Sequence, residues 1–340
     1  MIDVIVAGGG PAGLVTALCA ARAGLSVVVL EPRPGPVDKA CGEGLLPAAL
    51  RALASLDVRP PGVPFHGIRY VQGETVAQAE FRSGSGIGVR RTRLHACLQD
   101  AATAAGVTIR QQRVRDVRQD ADRVYVAGLT ARHLVAADGL HSPLRKQVAA
   151  PAGARRAGAR RWGVRAHFPV APWSDFVEVH WNEHAEAYVT PVGPDCVGVA
   201  LLSAHPAPYA ETLASFPALT ARLPQEPIDA PLGAGPFRQR VTRRVAGRVL
   251  LVGDAAGYVD ALTGEGLAIA FACGAALVER LLEGRPRKYE ADYRRITRRY
   301  RVITSALLWA AGQPQLRSRI VPAAAVHPEL FGRAVAALGS

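Results

Sequence analysis

Lysine is almost missing from this chain: Lys39, Lys146 and Lys288 are the only three in 340 residues, and arginine supplies the other basic charges behind a net +13. Aromatic residues are sparse as well, at 6%. Nucleic-acid binders interleave a basic surface with stacking aromatics. Here the arginines are scattered in pairs and no nucleic-acid module signature is present, so the charge reads as a solvated arginine-rich surface. Cysteine is low too. The five (Cys19, Cys41, Cys97, Cys196 and Cys273) are odd in number, far apart and without metal-ligand spacing. That excludes a disulfide framework, gives no metal site, and reads as a reduced, cytoplasmic protein. Long hydrophobic runs are also lacking. Residues 4–21 carry no charge, yet Gly8-Gly9-Gly10-Pro11 interrupts them and no basic segment precedes them. The run is expected to be neither a membrane span nor a signal peptide.

With 49% apolar and 20% charged residues, the chain is globular in composition rather than disordered or fibrous, and its length suggests about two domains. The first thirty residues carry the strongest local signal. Val4-Ile5-Val6-Ala7 is an apolar run suited to a buried parallel strand. Gly8-Gly9-Gly10-Pro11-Ala12-Gly13 follows, then a helical stretch over residues 14–23, closed by Gly24. Residues 26–30 read as a second strand, with Glu31 at its end, eighteen positions after Gly13.

Each residue type has a job in such a turn. Gly8 permits the tight bend, Gly10 lets the backbone approach a pyrophosphate, and Gly13 lets helix and sheet pack closely. The helix start offers free N–H groups to phosphate, and Glu31 can accept from a ribose diol. Glycine at one residue in ten makes the spacing weak evidence alone. The strand before it, the helix after it and the acid at the right distance make it a dinucleotide cradle.

Two later segments bear on which dinucleotide. One is Ala137-Asp138-Gly139-Leu140-His141-Ser142-Pro143, where a strand runs into a turn; the other is Leu251-Val252-Gly253-Asp254, a buried strand ending in Gly-Asp. Nine residues beyond Asp254, Thr263-Gly264-Glu265-Gly266 opens an apolar helix at Leu267. With Arg91-x-x-Leu94 and Lys39-Ala40-Cys41-Gly42-Glu43-Gly44-Leu45, these motifs resemble the FAD-dependent aromatic hydroxylase (p-hydroxybenzoate hydroxylase-like) superfamily. The last of them points to its geranylgeranyl reductase-like branch. The resemblance covers most of the chain and is specific for the FAD fold, much less so for the reaction.

The resemblance implies FAD as cofactor and NAD(P)H as electron donor. FAD contacts are expected from Gly8, Gly10, Pro11, Ala12, Gly13, Glu31, Arg33, Arg91, Val114, Asp138, Gly139, Asp254, Gly264, Gly266 and Leu267. Asp254 would bond the ribityl chain, Arg91 would sit near the ribityl–pyrophosphate segment, and Val114 would lie beside adenine. Cys41 and Glu43 are the catalytic candidates, against the plainer readings of a small buried thiol and a solvated loop acid. His66, His167, His180 and His184 fall in the second domain, where any of them could line the substrate cavity. There are departures: Ala261 stands where members often have proline, and Tyr188-Val189-Thr190-Pro191 is closer to the hydroxylase style than to the reductase branch.

The expected fold is α/β with α+β: a Rossmann-like FAD-binding domain in three pieces (1–65, 86–150 and 245–285), an inserted antiparallel-sheet substrate domain (66–85 and 151–244), and a helical tail (286–340). Residues 149–161 read as a linker. Residues 288–312 read as a basic amphipathic helix, either packed with a solvated face or docked on a membrane surface. The expected activity is an NAD(P)H-dependent monooxygenase of a hydrophobic aromatic or polyketide-like metabolite, with an isoprenoid C=C reductase as the alternative and a non-catalytic flavoprotein third.

Overall fold

The computed structural model describes residues 1–148 and 160–339. Its first sheet has eight strands, and the buried runs of the sequence form its centre. β1 (Ile2–Ala7) lies between β2 (Val27–Leu30) and the strand Leu129–Ala136, parallel to both. Thr108–Arg110 and Val249–Leu251 extend the parallel set on either side. All four residues of β2, and Val4 to Ala7 of β1, are buried, as expected for strands covered on both faces. α1 (Pro11–Arg22) starts three residues earlier than the sequence reading because Pro11, which has no N–H to lose, sits at the first helical position.

The second sheet has seven strands, in the order Leu232–Ala234, Trp162–Phe168, Cys196–Ser203, Ala185–Gly193, Phe176–Trp181, Gly67–Gln72, Thr75–Glu80. Gly67–Gln72 and Thr75–Glu80 form a hairpin about Gln72-Gly73. Pairing is antiparallel except between Phe176–Trp181 and Gly67–Gln72, which run parallel because a long excursion through the first sheet separates them in sequence. A small three-stranded sheet, made of Gly44–Leu45, Val63–Phe65 and Gly86–Gly88, packs against the strand Ala185–Gly193.

The tail does more than trail. The helix Tyr289–Ala311 buries Tyr289, Tyr293, Thr297, Tyr300 and Thr304 along one face, while Arg294, Arg295, Arg298, Arg299 and Arg301 are exposed. Ile320–Val326 and Pro328–Gly339 then pack Val321, Phe331 and Val335 against Ala77, Ala79 and Trp181 of the second sheet. Of the linker reading, residues 149–159 lie outside the described residues. Its last residue, Arg161, is no linker residue: it is buried and ion-paired with Glu186 and Asp260. Among the described residues, no helix is long and apolar enough to cross a membrane.

Candidate flavin and substrate site

The turn after β1 is shaped by backbone contacts a side chain would break. Gly8 has φ +108°, and a Cβ there would meet the Ala137 carbonyl oxygen at 2.4 Å. A Cβ on Gly13 would lie 2.0 Å from the Gly8 carbonyl oxygen, so this glycine lets α1 close on the turn. Gly10 differs. A Cβ there would meet nothing nearer than an Arg91 guanidinium nitrogen at 3.9 Å, so the space above Gly10 is open and faces a cation. α1 begins there with no side-chain cap, leaving its first amides free. Arg91 Nε is buried without a hydrogen-bond partner. An open glycine cradle, uncapped helix amides and an orphaned guanidinium N–H fit an anionic group such as a pyrophosphate.

Glu31, at the end of β2, is tied to the same turn. Its carboxylate accepts from the Gly9 amide at 2.9 Å and from the Arg33 guanidinium at 2.8 Å. Burial works against its charge, but the hydrogen bonds from Arg33 and Gly9 prevail and hold it below the usual glutamate value. Asp138 is committed elsewhere. Ser142 Oγ donates to it at 2.5 Å and the Leu144 amide at 3.1 Å, so its carboxylate braces the start of the helix Pro143–Val148. Burial raises it above the usual aspartate value. Asp254 is half-exposed and faces Lys39 Nζ at 3.7 Å. Gly264 has φ +70° with open space where a Cβ would sit, just before the uncapped helix Gly266–Leu282.

One cavity of about 870 Å³ gathers nearly all of these residues. Gly8, Gly10, Pro11, Ala12, Glu31, Arg33, Arg91, Val114, Asp138, Gly139, Asp254, Gly264, Gly266 and Leu267 line it, and so do Cys41 and Glu43. Gly13 does not, since it serves helix packing. Much of the remaining wall is apolar: Ile68, Val177, Val179 and Leu202 of the second sheet, with Phe65 of the small sheet and Phe237. Leu338, near the end of the tail, reaches it as well. Tyr188 Oη donates to the Leu262 carbonyl at 2.8 Å, tying this wall to the loop before Gly264. The volume is at the upper end of small-molecule sites, with one end polar and glycine-lined and the other greasy.

Glu43 is not a solvated loop acid. Its side chain is 1% exposed. One carboxylate oxygen accepts from the Arg91 amide at 2.7 Å; the other shares a 2.6 Å hydrogen bond with His167 Nε2. His167 Nδ1 in turn meets Asp229 at 2.5 Å, and Asp229 is 26% exposed. The three form a hydrogen-bonded line from solvent to the cavity wall. Arg165, wholly buried, flanks it at 3.8 Å from Glu43 and 3.4 Å from Asp229, and also binds Asp38. Arg90 closes it, at 3.0 Å from His167 and 2.9 Å from Asp229. Asp229, Arg165 and Arg90 were not singled out from the sequence, and His167 was one of four equal candidates. The other three lie elsewhere: His66 on Ser85, His180 on Glu178, and His184 at the surface. Cys41, half-buried, accepts weakly from the Glu43 amide at 3.4 Å.

A fold with a glycine-lined cradle opening onto an apolar chamber defines a cofactor-plus-substrate enzyme, and sequence comparison assigns the class. The family described as "FAD binding domain" matches residues 1–195, more than half of the chain, and the chain belongs to it. It is an FAD-dependent oxidoreductase. Menaquinone reductase of Mycobacterium tuberculosis is 27% identical over 325 residues, covering 83% of this chain and 77% of that one. Digeranylgeranylglycerophospholipid reductase 1 of Methanopyrus kandleri is 28% identical, covering 80% and 78%. Para-nitrophenol 4-monooxygenase of a Pseudomonas species is 31% identical but spans only 43% and 42%. Among solved structures, the flavin-dependent brominase Bmp2 superposes with a TM-score of 0.80 at 19% identity, covering 99% of this chain and 93% of that one, a likeness of fold.

Proposed function

We propose that this chain is an FAD-dependent reductase of carbon–carbon double bonds in a hydrophobic, isoprenoid-type substrate, with electrons supplied by NAD(P)H. The observation that carries the reading is the line Asp229–His167–Glu43, which ends in the wall of the apolar cavity. Saturating a C=C bond takes a hydride, which the reduced cofactor would supply, and a proton, and a buried acid with a path to solvent supplies the proton repeatedly. This reverses the order expected from the sequence, where the monooxygenase came first. The two relatives above that match most of the chain are named reductases, which supports the change.

In this reading the turn at Gly8, Gly10, Pro11 and Ala12 and the Arg91 guanidinium hold the pyrophosphate of FAD, Glu31 and Arg33 its ribose, Val114 its adenine side and Asp254 its ribityl chain. The loop at Gly264, Gly266 and Leu267 would face the flavin, with Gly139 at the turn of Asp138 lining the same cavity. FAD so held supplies the two-electron chemistry. Glu43 holds the proton and releases it toward the substrate carbon, with Cys41 beside it in the wall. His167 Nε2–H then reprotonates Glu43, and His167 Nδ1 recovers a proton through Asp229. Arg165, against both carboxylates, and Arg90, against Asp229, fix them in place. The apolar wall orients the substrate and excludes water.

The second reading is the monooxygenase, favoured by the match to para-nitrophenol 4-monooxygenase and by Tyr188-Val189-Thr190-Pro191. Comparative mass spectrometry of cells with and without this chain separates the two. A precursor lighter than the lost product by two hydrogens supports the reductase; one lighter by an oxygen atom supports the monooxygenase.

A further inference from the structure

A second cavity, of about 340 Å³, adjoins the first. Gly253, Asp254, Tyr258, Gly266 and Ala270 border both, so the turn carrying Asp254 is a wall between them. The other sides are residues 238–241 with Arg244, and the helix Tyr289–Ala311 through Tyr293, Thr297, Tyr300 and Arg301.

Charge distinguishes this cavity. Arg238 and Arg240 reach it from the loop and Arg301 from the helix, all three with solvent exposure, so they line the side of the cavity open to water. Among the described residues, none of the three has a hydrogen-bond or ion-pair partner. Arg244, deeper in, is already matched: it pairs with Glu290 at 3.8 Å and stacks on the Tyr293 ring at 4.4 Å. The nearest acids offer little relief. Asp254 is engaged with Lys39, and Asp260 is buried against Arg161. Partial burial, together with the like charges of Arg240 and Arg301, lowers Arg238 below the ordinary arginine value. Three cations converging on a concavity without a counter-ion form a cluster that an anion would complete.

We propose that this cavity recognises the phosphate or diphosphate group of a small molecule, held by the Arg238, Arg240 and Arg301 guanidinium forks. Guanidinium matches phosphate oxygens in a bidentate way, and arginine rather than lysine stands at all three positions. The volume is at the small end of ligand sites, suited to a head group rather than a whole apolar molecule. The group can belong to a nicotinamide dinucleotide or to the head of a substrate. Either way, its occupant touches the turn that carries Asp254. The proposal does not depend on which reaction the larger cavity performs.

The test uses the full FAD-loaded protein and calorimetric titration with inorganic diphosphate, NADPH and NADH. The double variant R240Q/R301Q alters the cavity, and R294Q/R298Q removes the same charge from the exposed face of the same helix. Saturable diphosphate binding is expected, weakened at least tenfold in R240Q/R301Q and unchanged in R294Q/R298Q, with FAD content equal in all three. If NADPH competes with diphosphate and is weakened alongside it, the group is the donor's. If NADPH binds wild type and R240Q/R301Q alike while diphosphate binding is lost, the group is a substrate's head. Absence of saturable diphosphate binding, or equal weakening in both double variants, overturns the proposal.

Discussion

Glu43 Oε2 and His167 Nε2 lie 2.6 Å apart although 124 residues separate them in sequence, and neither side chain is more than 1% exposed. A buried acid and imidazole in contact serve as a proton store when one end reaches solvent, and here Asp229 provides that end. Glu43→Gln keeps the shape and the Arg91 contact but not the proton. It is expected to bind FAD as wild type does while kcat falls by roughly 10²–10⁴, with KM little changed. His167→Gln should do the same. Asp229→Asn, acting only through His167, should lose less and shift the solvent deuterium isotope effect on kcat. If Glu43→Gln turns over normally, the proton assignment is wrong.

Gly10 and Gly13 separate binding from folding. Gly10→Val fills open space over the cradle, so the variant is expected to fold with the melting temperature of flavin-free wild type but to purify without flavin. Gly13→Ala drives a methyl into the Gly8 carbonyl and is expected to cost about 2 kcal/mol or more of stability. Thermal melts with flavin quantitation check both. A yellow Gly10→Val would remove the turn from the FAD site.

These glycines were readable in the sequence because their work is local. Strand, turn, helix and acid fall within thirty residues, and the spacing states the geometry. The line through Glu43 was not readable. Its partners come from a loop before the second sheet, from the strand Trp162–Phe168, and from Asp229 in a proline-rich loop with no motif of its own. Burial of Glu43 depends on that second sheet closing over it, which no local pattern records. The parallel pairing of Phe176–Trp181 with Gly67–Gln72 escaped for the same reason: alternation marks a strand but does not name its neighbour.

Two buried carboxyls make stability depend on pH. Burial raises Glu265 to about 7, with a Thr263 hydrogen bond and the Arg299 charge opposing it; burial likewise raises Asp260 to about 6 against the pull of Arg161. A carboxyl raised in the folded state contributes stability that is complete below its unfolded value and is lost as pH rises through its folded value. For Glu265 that window runs from the ordinary glutamate value of 4.5 to about 7. Wild type should therefore lose roughly 3 kcal/mol relative to Glu265→Gln on going from the bottom to above the top of this window. Urea melts of both proteins across the window check it; parallel curves would contradict it.

Glu186, fully buried, joins the second sheet to the tail, paired with Arg161 on one side and with Arg317 at 2.7 Å on the other. Arg317 also donates to the Asn182 and Ala185 carbonyls. Arg317→Met leaves Glu186 with half its compensation, so a loss of about 3 kcal/mol is expected. Early proteolytic release of residues beyond 311 should accompany it. A variant as stable and as protease-resistant as wild type would show that the tail docks without this pair.

The most direct test of the account is a single turnover without oxygen. Holoenzyme reduced with NADPH is mixed anaerobically with a geranylgeranyl-bearing lipid, and flavin absorbance and product mass are followed together. The account predicts that flavin reoxidises at the rate of product formation, that the product is heavier by two hydrogens, and that Glu43→Gln slows both equally. Flavin that stays reduced until oxygen is admitted, followed by a product one oxygen atom heavier, would contradict it.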